Sequence, residues 1–522
     1  MPGFSLAEKR EYIEAEFAKA DVNGDGVVDF SEFCAFYTDL SATCNAATSS
    51  QAVEIVQKRR EAAQRERVQR LVRQAAYSEV GSIIKSCELG DVVLVRAQWL
   101  LERAGYVATT RQRRGRAVIE WKRSADAKAT PLPNRQVLET EHAAAIMSSA
   151  DITKGLEALK TTVTTVAEFM RVSVESLDDI ISLPVIMSSH AWSTPSHADP
   201  EAQTLEVLAA QLARDMPTFN AWGFEDVGVF FDWCSLYQAP CTPEQADVTE
   251  RAKHQMGLWY SHRRTTVYLV QPEKSAAGAL TPRREERGWP FFEETLCSLF
   301  KPSPATTSMR PLRRDANSMI TMWPRVIDVS AAGAESRMDE ERSQRPPISA
   351  PMFTDALEAY TFTKSFDKPT VAKVYRRALE EGYNGLVTLA YSKRSWADAE
   401  LIKLAATLQQ IACSNVAELD LSWNTFTSTG LDALGQALAM GSLHALKKLN
   451  LSHCVNVRTL PETIGVLAEL ESLDLSACIA LVDLPESMTN MVSLRDLNLK
   501  DCIKLEGSGF ETKLSKLVEI TS

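Results

Sequence analysis

The chain lacks the sequence features of membrane-embedded and exported proteins. No apolar run approaches the roughly 20 residues that a membrane-spanning helix requires. The start of the chain has neither the basic and apolar regions of a signal peptide nor a myristoylation glycine. Its ten cysteines form no CxxC pair, so nothing indicates a zinc site or a redox motif. These absences predict a cytoplasmic protein with reduced thiols and no transmembrane segment.

Positive charge is also in short supply. The chain has 57 Lys and Arg against 68 Asp and Glu, and the net charge of −11 disfavours nucleic acid as a partner of the whole chain. The contents of 45% hydrophobic and 24% charged residues are ordinary for globular proteins. A length of 522 residues exceeds what one hydrophobic core organises, so we expect several domains.

The clearest motif is the loop from Asp21 to Glu32. Calcium takes about six to eight oxygen ligands, and this loop supplies oxygens at the positions that an EF-hand uses. The ligands would be the side chains of Asp21, Asn23 and Asp25, the carbonyl of Val27, Asp29 through a water molecule, and both carboxylate oxygens of Glu32. Gly26 allows the sharp turn at the sixth position. The pattern predicts a helical EF-hand over residues 1–45 with Ca²⁺ as its ligand.

No second loop of this quality follows, although EF-hands normally work in pairs. A degenerate partner within residues 40–80, self-association of two chains, or a modest affinity for calcium would each account for a single loop. The sequence leaves these three alternatives open, and it also leaves open whether calcium is regulatory or structural.

Residues 46–80 are predicted as a basic helix. The cationic residues in it are Lys58, Arg59, Arg60, Arg65, Arg67, Arg70 and Arg73, and only three glutamates oppose them. One interpretation is a calcium-released contact with an acidic surface or with lipid headgroups. The other, which we favour, is a solvated linker helix.

Residues 81–123 are predicted as a small α+β module with a basic hairpin. A helix near Arg96–Ala104 is followed by two strand-like runs, which flank the turn Arg113-Arg114-Gly115-Arg116. A helix followed by a basic-tipped hairpin suggests a winged-helix-like contact with nucleic acid. No recognition helix with base-reading residues is evident, so we rank that function last. Residues 124–182 are predicted as a linker followed by a helix.

Residues 183–330 alternate between strand and helix patterns. Leu183–Met187, Val227–Asp232 and Thr265–Val270 are apolar runs of the buried-strand type, and helical patterns separate them. This alternation predicts a parallel sheet with covering helices. Polar residues just past the ends of such strands collect at one edge, where ligands usually bind.

Four sequence blocks in this region fall in a recognisable order. They are Ser189-His-Ala-Trp192, Asp232-Trp-Cys-Ser-Leu-Tyr-Gln238, Met256-Gly-Leu-Trp-Tyr260 and Arg287-Gly-Trp-Pro-Phe-Phe-Glu293. Together they resemble the blocks of the fungal heterokaryon-incompatibility (HET) family, which is itself similar to TIR domains. The last block also resembles the TIR motif Trp-Cys-x-x-Glu, with Pro290 in place of the cysteine.

The resemblance implies that Glu293 corresponds to the glutamate that cleaves NAD in the active TIR members. A carboxylate there would hold the ribose hydroxyls and stabilise a ribosyl cation while nicotinamide leaves. Asp232 and His190 are expected near the same strand edge. The alternative is structural, with Trp289 and Glu293 anchoring a helix and Arg287 as the ion-pair partner. Because many relatives act only as interaction modules, a non-enzymatic role is favoured and catalysis is the alternative.

Residues 351–522, after a predicted linker at 331–350, carry a periodic pattern. Leu389, Leu419, Leu449, Leu473 and Leu497 recur at spacings of 30, 30, 24 and 24 residues within L-x-x-L-x-L-x-x-N/C segments. The pattern is that of the leucine-rich repeat, an α/β solenoid. Asn424, Cys454, Cys478 and Cys502 would turn the chain and pack against buried backbone. The solvent-facing strand positions would line a concave face of mixed charge that fits a protein partner; they are Glu418, Asp420, Lys448, Asn450, Asp474, Arg495 and Asn498.

The sequence as a whole therefore predicts a multidomain α/β protein with a helical EF-hand, a central parallel-sheet domain and a repeat solenoid. The favoured function is a calcium-binding signalling or scaffold protein that recognises a protein partner through its repeats. The alternative is a calcium- or partner-gated NAD hydrolase that uses Glu293.

Overall fold

The computed structural model describes residues 77, 79–113, 116–170, 183–272, 283–301, 326–330, 345–363, 367–383, 386–411, 413 and 415–505. The predicted calcium loop and the basic residues 58–73 lie outside these ranges. So do the two residues at the tip of the basic hairpin and most of the predicted linker at 331–350. The described part of the chain is a mixed α/β structure with parallel sheets, as predicted. It divides into two compact units, the first within residues 76–345 and 350–378 and the second within 346–349 and 379–522.

The first unit is organised around a six-stranded sheet with the order β4-β1-β6-β5-β7-β8. The strands are β1 (Leu94–Arg96), β4 (Ile146–Met147), β5 (Val185–Ser189), β6 (Gly228–Phe230), β7 (Thr266–Gln271) and β8 (Val326–Ser330), and a separate hairpin is formed by β2 (Tyr106–Arg113) and β3 (Arg116–Arg123). Strands β5 to β8 are parallel, whereas β1 is antiparallel to both of its neighbours. The predicted parallel sheet is therefore present, and it is extended at one edge by β1, which runs in the opposite direction, and by β4 beyond it.

Helices precede, separate and follow these strands along the chain. They are α1 (Val80–Glu88), α2 (Ala97–Arg103), α3 (Arg135–Glu141), α4 (Ser149–Met170), α5 (Gln203–Ala221), α6 (Asp232–Ser235), α7 (Pro243–Ser261), α8 (Gly288–Phe300), α9 (Ala350–Ala356) and α10 (Asp367–Tyr383). Helix α7 begins with a capping box in which Thr242 and Gln245 satisfy each other's backbone N–H groups, and Pro243 follows at the first position. Helix α5 buries Leu205, Leu208 and Leu212 at helical spacing.

The order of the parallel strands places a crevice at the middle of the sheet. From β5 the chain crosses to β6 on one side, and it then returns past β5 to form β7 on the other side. The connections therefore leave in opposite directions at the carboxyl ends of β5 and β7. In open α/β sheets, such a reversal point is where ligands bind.

Two segments differ from the predicted domain boundaries. The segment 81–123 contributes β1 to the central sheet, with Leu94 and Val95 fully buried, and β4 comes from the predicted linker at 124–182. Residues 350–378, expected to begin the repeats, group with the first unit, where Phe353 stacks on Phe291 and Tyr375. Neither difference could be predicted from periodicity. Strands of two or three residues are too short to show a periodic pattern, and contacts between aromatic residues that are far apart in sequence produce no such pattern.

The second unit contains five parallel strands, β9 (Thr388–Ala390), β10 (Glu418–Asp420), β11 (Lys448–Asn450), β12 (Ser472–Asp474) and β13 (Asp496–Asn498). Their register pairs the five predicted leucines, Leu389, Leu419, Leu449, Leu473 and Leu497. Helices α11 (Asp398–Leu408) and α12 (Ser428–Ala439) follow the first strands, and 3₁₀ turns at Glu462–Val466 and Glu486–Asn490 follow the later ones. The change from helix to shorter turn accompanies the change in spacing from 30 to 24 residues.

Polar side chains after the strands join successive strands of this stack. The Asn424 amide accepts hydrogen bonds from the backbone N–H groups of Arg394 (3.1 Å) and Trp396 (3.0 Å), and it donates to the carbonyls of Tyr391 (2.9 Å) and Leu421 (2.8 Å). The thiols of Cys454, Cys478 and Cys502 each donate to a carbonyl of the preceding strand segment, at 3.1 to 3.3 Å. These contacts satisfy backbone groups that no strand pairing reaches.

Replacing Asn424 with alanine should destabilise the second unit by about 2 to 4 kcal/mol, because several buried backbone groups lose their partner at once. Urea unfolding of the purified chain measures this change. The matched control is Asn456→Ala, since the exposed Asn456 side chain donates one hydrogen bond of 2.8 Å to the Thr425 carbonyl. This variant should lower the free energy of unfolding by less than about 1 kcal/mol. Equal midpoints for the two variants would contradict the role of Asn424.

Candidate functional site

A cavity of about 310 Å³ opens at the carboxyl edge of the parallel strands of the first unit. All four sequence blocks line it. The first block contributes His190 and Trp192 after β5, and the second contributes Asp232 and Gln238 after β6. The third contributes Met256 on α7, and the fourth contributes Arg287, Trp289 and Glu293 at the start of α8. The cavity lies at the carboxyl ends of β5 and β6, beside the point where the strand order reverses. The fold thus brings residues 189–293 together around one space.

Asp232 holds the floor of this cavity in place. Its carboxylate accepts hydrogen bonds from the Trp192 indole N–H and from the Trp233 backbone N–H, the latter at 2.7 Å. The buried His190 ring stacks on Phe231, with 4.2 Å between ring centroids. His190 Nε2 lies 3.3 Å from Asp232 Oδ1, but without the angle that a hydrogen bond requires. Asp232 therefore fixes the Trp192 indole and places a negative charge beside the His190 imidazole.

Two further block residues support the backbone. The Gln238 amide donates to the carbonyls of Asp232 (3.2 Å) and Leu236 (3.0 Å), which fixes the turn after β6. The fully buried Tyr260 donates through its hydroxyl to the Ser188 carbonyl at 3.1 Å, at the end of β5. These residues of the second and third blocks shape the site by positioning the strand ends that carry His190 and Asp232.

Glu293 lies on helix α8 and lines the cavity. Its Oε2 atom is sealed from solvent, and no hydrogen-bond donor in the described structure reaches it. The expected ion pair between Arg287 and Glu293 does not form, because residues six apart do not share a helix face. Arg284 instead pairs with the neighbouring Glu294, at 3.0 Å. One oxygen of the Glu293 carboxyl group is therefore left without a hydrogen bond inside the described structure, while the Ser189 and Tyr260 hydroxyls interact with the carboxyl group.

The surroundings of Glu293 favour its protonated form. Burial raises the pKa of Glu293 to about 8, and the Asp232 carboxylate adds to this rise. The Ser189 hydroxyl, the His190 imidazole and the Tyr260 hydroxyl lower the pKa and offset part of the effect. For His190, burial opposes the charged form, but the Asp232 carboxylate outweighs burial and the pKa of His190 is raised. Two titratable groups with perturbed pKa values in one cleft are typical of a functional site.

The pKa of Glu293 makes the stability of the first unit depend on pH. Above the ordinary carboxyl pKa and up to about 8, the unfolded chain is deprotonated at this position while the folded chain keeps the proton. The free energy of unfolding should therefore fall as pH rises from 5 to 8, by up to about 1.4 kcal/mol per pH unit. His190, with its raised pKa, contributes a slope of the same sign.

Urea unfolding of the wild type and of Glu293→Gln across this pH range isolates the contribution of Glu293, since His190 titrates in both proteins. We expect a flatter dependence in the variant and the largest difference between the two proteins at the alkaline end. Parallel curves would show that Glu293 titrates normally in the folded chain.

One wall of the cavity comes from a segment that was not predicted to reach the site. This wall, defined here as residues 361–363 with Asp367, comes from the segment that precedes helix α10. Thr361 pairs with the start of α8, where it accepts a hydrogen bond of 2.9 Å from the Gly288 N–H and donates one of 3.0 Å to the Glu286 carbonyl. A Cβ atom on Gly288 would lie 2.1 Å from the Phe362 ring, so only glycine lets the wall approach this closely.

Asp367 connects the same wall to two other elements of the site. Its carboxylate accepts a hydrogen bond of 3.1 Å from the Trp289 indole and lies 3.6 Å from the Lys253 ammonium group on α7. The wall residues are more than 60 positions from the fourth block in sequence. Only Gly288, a glycine at the start of an apolar helix, hinted at a close approach here.

The other predicted sites lie largely outside the described structure. All six predicted calcium ligands fall there, and within the described residues no group of three or more His, Cys, Asp or Glu side chains could hold a metal ion. The hairpin β2–β3 forms as predicted, but the side chains of residues 113–117 at its tip are not described. Among the described helices, none combines the length and apolar character that crossing a membrane requires.

Comparisons of the chain with protein-family models, with curated proteins and with solved structures found no match.

Proposed function

We propose that the first unit is an NAD hydrolase that cleaves the bond between nicotinamide and ribose, with Glu293 as the catalytic carboxylate. The observation that carries this proposal is the convergence of the four sequence blocks on one cavity, which is lined by Glu293 with one carboxyl oxygen that accepts no hydrogen bond within the described structure. The resemblance of the blocks to HET and TIR sequences supports the same substrate.

The reaction needs little from the protein other than placement and charge. Nicotinamide is a positively charged ring in NAD and leaves as a neutral molecule, so the bond from its nitrogen to the ribose C1′ breaks without a proton donor. Positive charge then develops on the ribose, and the Glu293 carboxylate would stabilise it. Water adds to C1′ and releases one proton, which gives nicotinamide and ADP-ribose.

The raised pKa of Glu293 fits this chemistry once the substrate is considered. In the free cavity, burial keeps Glu293 protonated at neutral pH. A bound nicotinamide ring brings a positive charge close to the carboxyl group and favours its ionised form. The aromatic side chains of Trp192, Tyr237 and Trp289, which line the cavity, offer surfaces on which a flat ring can stack.

For the remaining regions we propose regulation and recognition. The loop Asp21–Glu32 would bind calcium, and the second unit would be a leucine-rich-repeat solenoid that recognises a protein partner. The register of five leucines at 30- and 24-residue intervals supports the repeat assignment. An exposed aromatic cluster supports recognition. Trp423 is 50% exposed and stacks on His453, and the Lys393 ammonium group lies 5.4 Å from the centroid of the Trp423 ring. A calcium-responsive signalling or scaffold protein without catalysis is the second candidate function.

Incubation of the purified full chain with NAD separates the two candidates. Chromatography should show nicotinamide and ADP-ribose in equal amounts, measured once with calcium and once with a chelator. Turnover that changes with calcium would indicate a regulated enzyme. Calcium binding without any turnover, including at millimolar NAD, would reject the hydrolase and leave the interaction protein.

A further inference from the structure

The charged groups of the cavity are unequally satisfied. Among the acidic groups, Asp232 accepts hydrogen bonds from two N–H groups, as described above. Asp367 accepts one from Trp289, and Glu250 lies 3.0 Å from the Lys253 ammonium group. Lys253 itself lies between Glu250 and Asp367. These four groups therefore carry internal compensation for their charge.

Arg287 differs from all of them. It lines the cavity and is half-buried, yet no hydrogen bond or ion pair to any described residue engages its guanidinium group. A guanidinium group that is partly removed from water is costly to leave without an anion. Of the Arg and Lys side chains that line the cavity in the described structure, Lys253 has carboxylate partners and Arg287 has none, so Arg287 is available to a ligand.

We propose that Arg287 binds a phosphate of the substrate and so restricts the site to phosphorylated nucleotides, excluding the corresponding nucleosides. This inference rests on the proposed function for the identity of the reaction, but the phosphate contact itself can be measured by binding alone. The planar guanidinium group offers two parallel N–H donors, which match two phosphate oxygens.

The spacing of Arg287 and Glu293 agrees with a ribose phosphate between them. Arg287 is the N-cap residue of α8, and Glu293 follows on the same helix. Six residues of α-helix rise by about 9 Å. A ligand with its ribose C1′ at Glu293 would therefore extend its phosphate along the helix toward Arg287. The first turn of α8 adds the positive end of the helix dipole on the same side.

The test measures binding of ADP-ribose, the expected product, to the full chain by calorimetry. Arg287→Met keeps the apolar part of the side chain and removes the charge, and we expect it to weaken binding by about 10- to 100-fold. Arg287→Lys keeps a positive charge but loses the paired donors, so its affinity for ADP-ribose should lie between those of the wild type and of Arg287→Met. The matched control is Arg283→Met, since Arg283 is exposed, lies just before α8 and does not line the cavity.

Turnover gives a second readout that a general loss of structure would not produce. With NAD, Arg287→Met should raise KM with a smaller change in kcat. With nicotinamide riboside, which has no phosphate, wild type and variant should have equal and low kcat/KM. Equal ADP-ribose affinity of wild type, Arg287→Met and Arg283→Met, or no binding to wild type, would overturn the inference. Arg287-dependent ADP-ribose binding without any nicotinamide release would instead support the phosphate site and reject the hydrolase.

Discussion

Replacing Glu293 with glutamine should lower kcat for nicotinamide release from NAD by about 100- to 1,000-fold. Glutamine has the size and shape of the protonated glutamic acid, which is the form that burial favours in the free cavity. The folded structure and the binding of NAD should therefore be retained. What glutamine cannot supply is the negative charge that, in the proposed reaction, stabilises the ribosyl cation. Chromatographic assay of nicotinamide gives kcat, and calorimetry with NAD gives the affinity.

Glu286→Gln is the control for this variant. Glu286 lies in the 3₁₀ turn just before α8, and its side chain is exposed and does not line the cavity. Its activity should equal that of the wild type. A Glu293→Gln protein that turns over NAD at the wild-type rate would show that the carboxylate has no part in the reaction.

Replacing Asp21 with alanine, or Glu32 with glutamine, should weaken calcium binding by at least about 3 kcal/mol, which is roughly 100-fold in Kd. Asp21 is the first ligand of the predicted loop, and Glu32 is the residue expected to bind through both oxygens. Loss of either removes a negative charge and one or two of the ligand oxygens. Calorimetric titration of the full chain with calcium measures the effect.

Asp39→Asn controls for the loss of one acidic residue, because Asp39 follows the loop and is not among its ligands. Its calcium affinity should match the wild type. A wild-type chain that takes up no calcium at millimolar concentration would contradict the predicted EF-hand, whatever the behaviour of the variants.

The central sheet could be predicted from the sequence where strands are buried on both faces. The runs Leu183–Met187 and Thr265–Val270 correspond to β5 and β7 within two residues, because fully buried parallel strands have continuous apolar sequence. The same reasoning predicted that His190 and Asp232 lie at one edge of the sheet, and in the structure His190 Nε2 is 3.3 Å from Asp232 Oδ1. Position after a parallel strand is thus enough to bring distant polar residues together.

Other parts of the site depend on contacts that leave no local pattern. The wall at residues 361–363 reaches the cavity by pairing with the start of α8, which no periodicity encodes. The sequence suggested Arg287 as the ion-pair partner of Glu293, whereas Arg284 and Glu294 form the pair near α8. Residues six apart point to different sides of a helix, so the geometry of α8 separates the two charges, although both residues line the cavity.

The most direct measurement is a crystal structure of the full-length Glu293→Gln protein soaked with NAD. The account predicts an intact NAD molecule in the cavity, with the bond between nicotinamide and ribose beside residue 293 and a phosphate at Arg287. A cavity that stays empty at saturating NAD would contradict the account, as would an NAD molecule whose ribose lies away from residue 293.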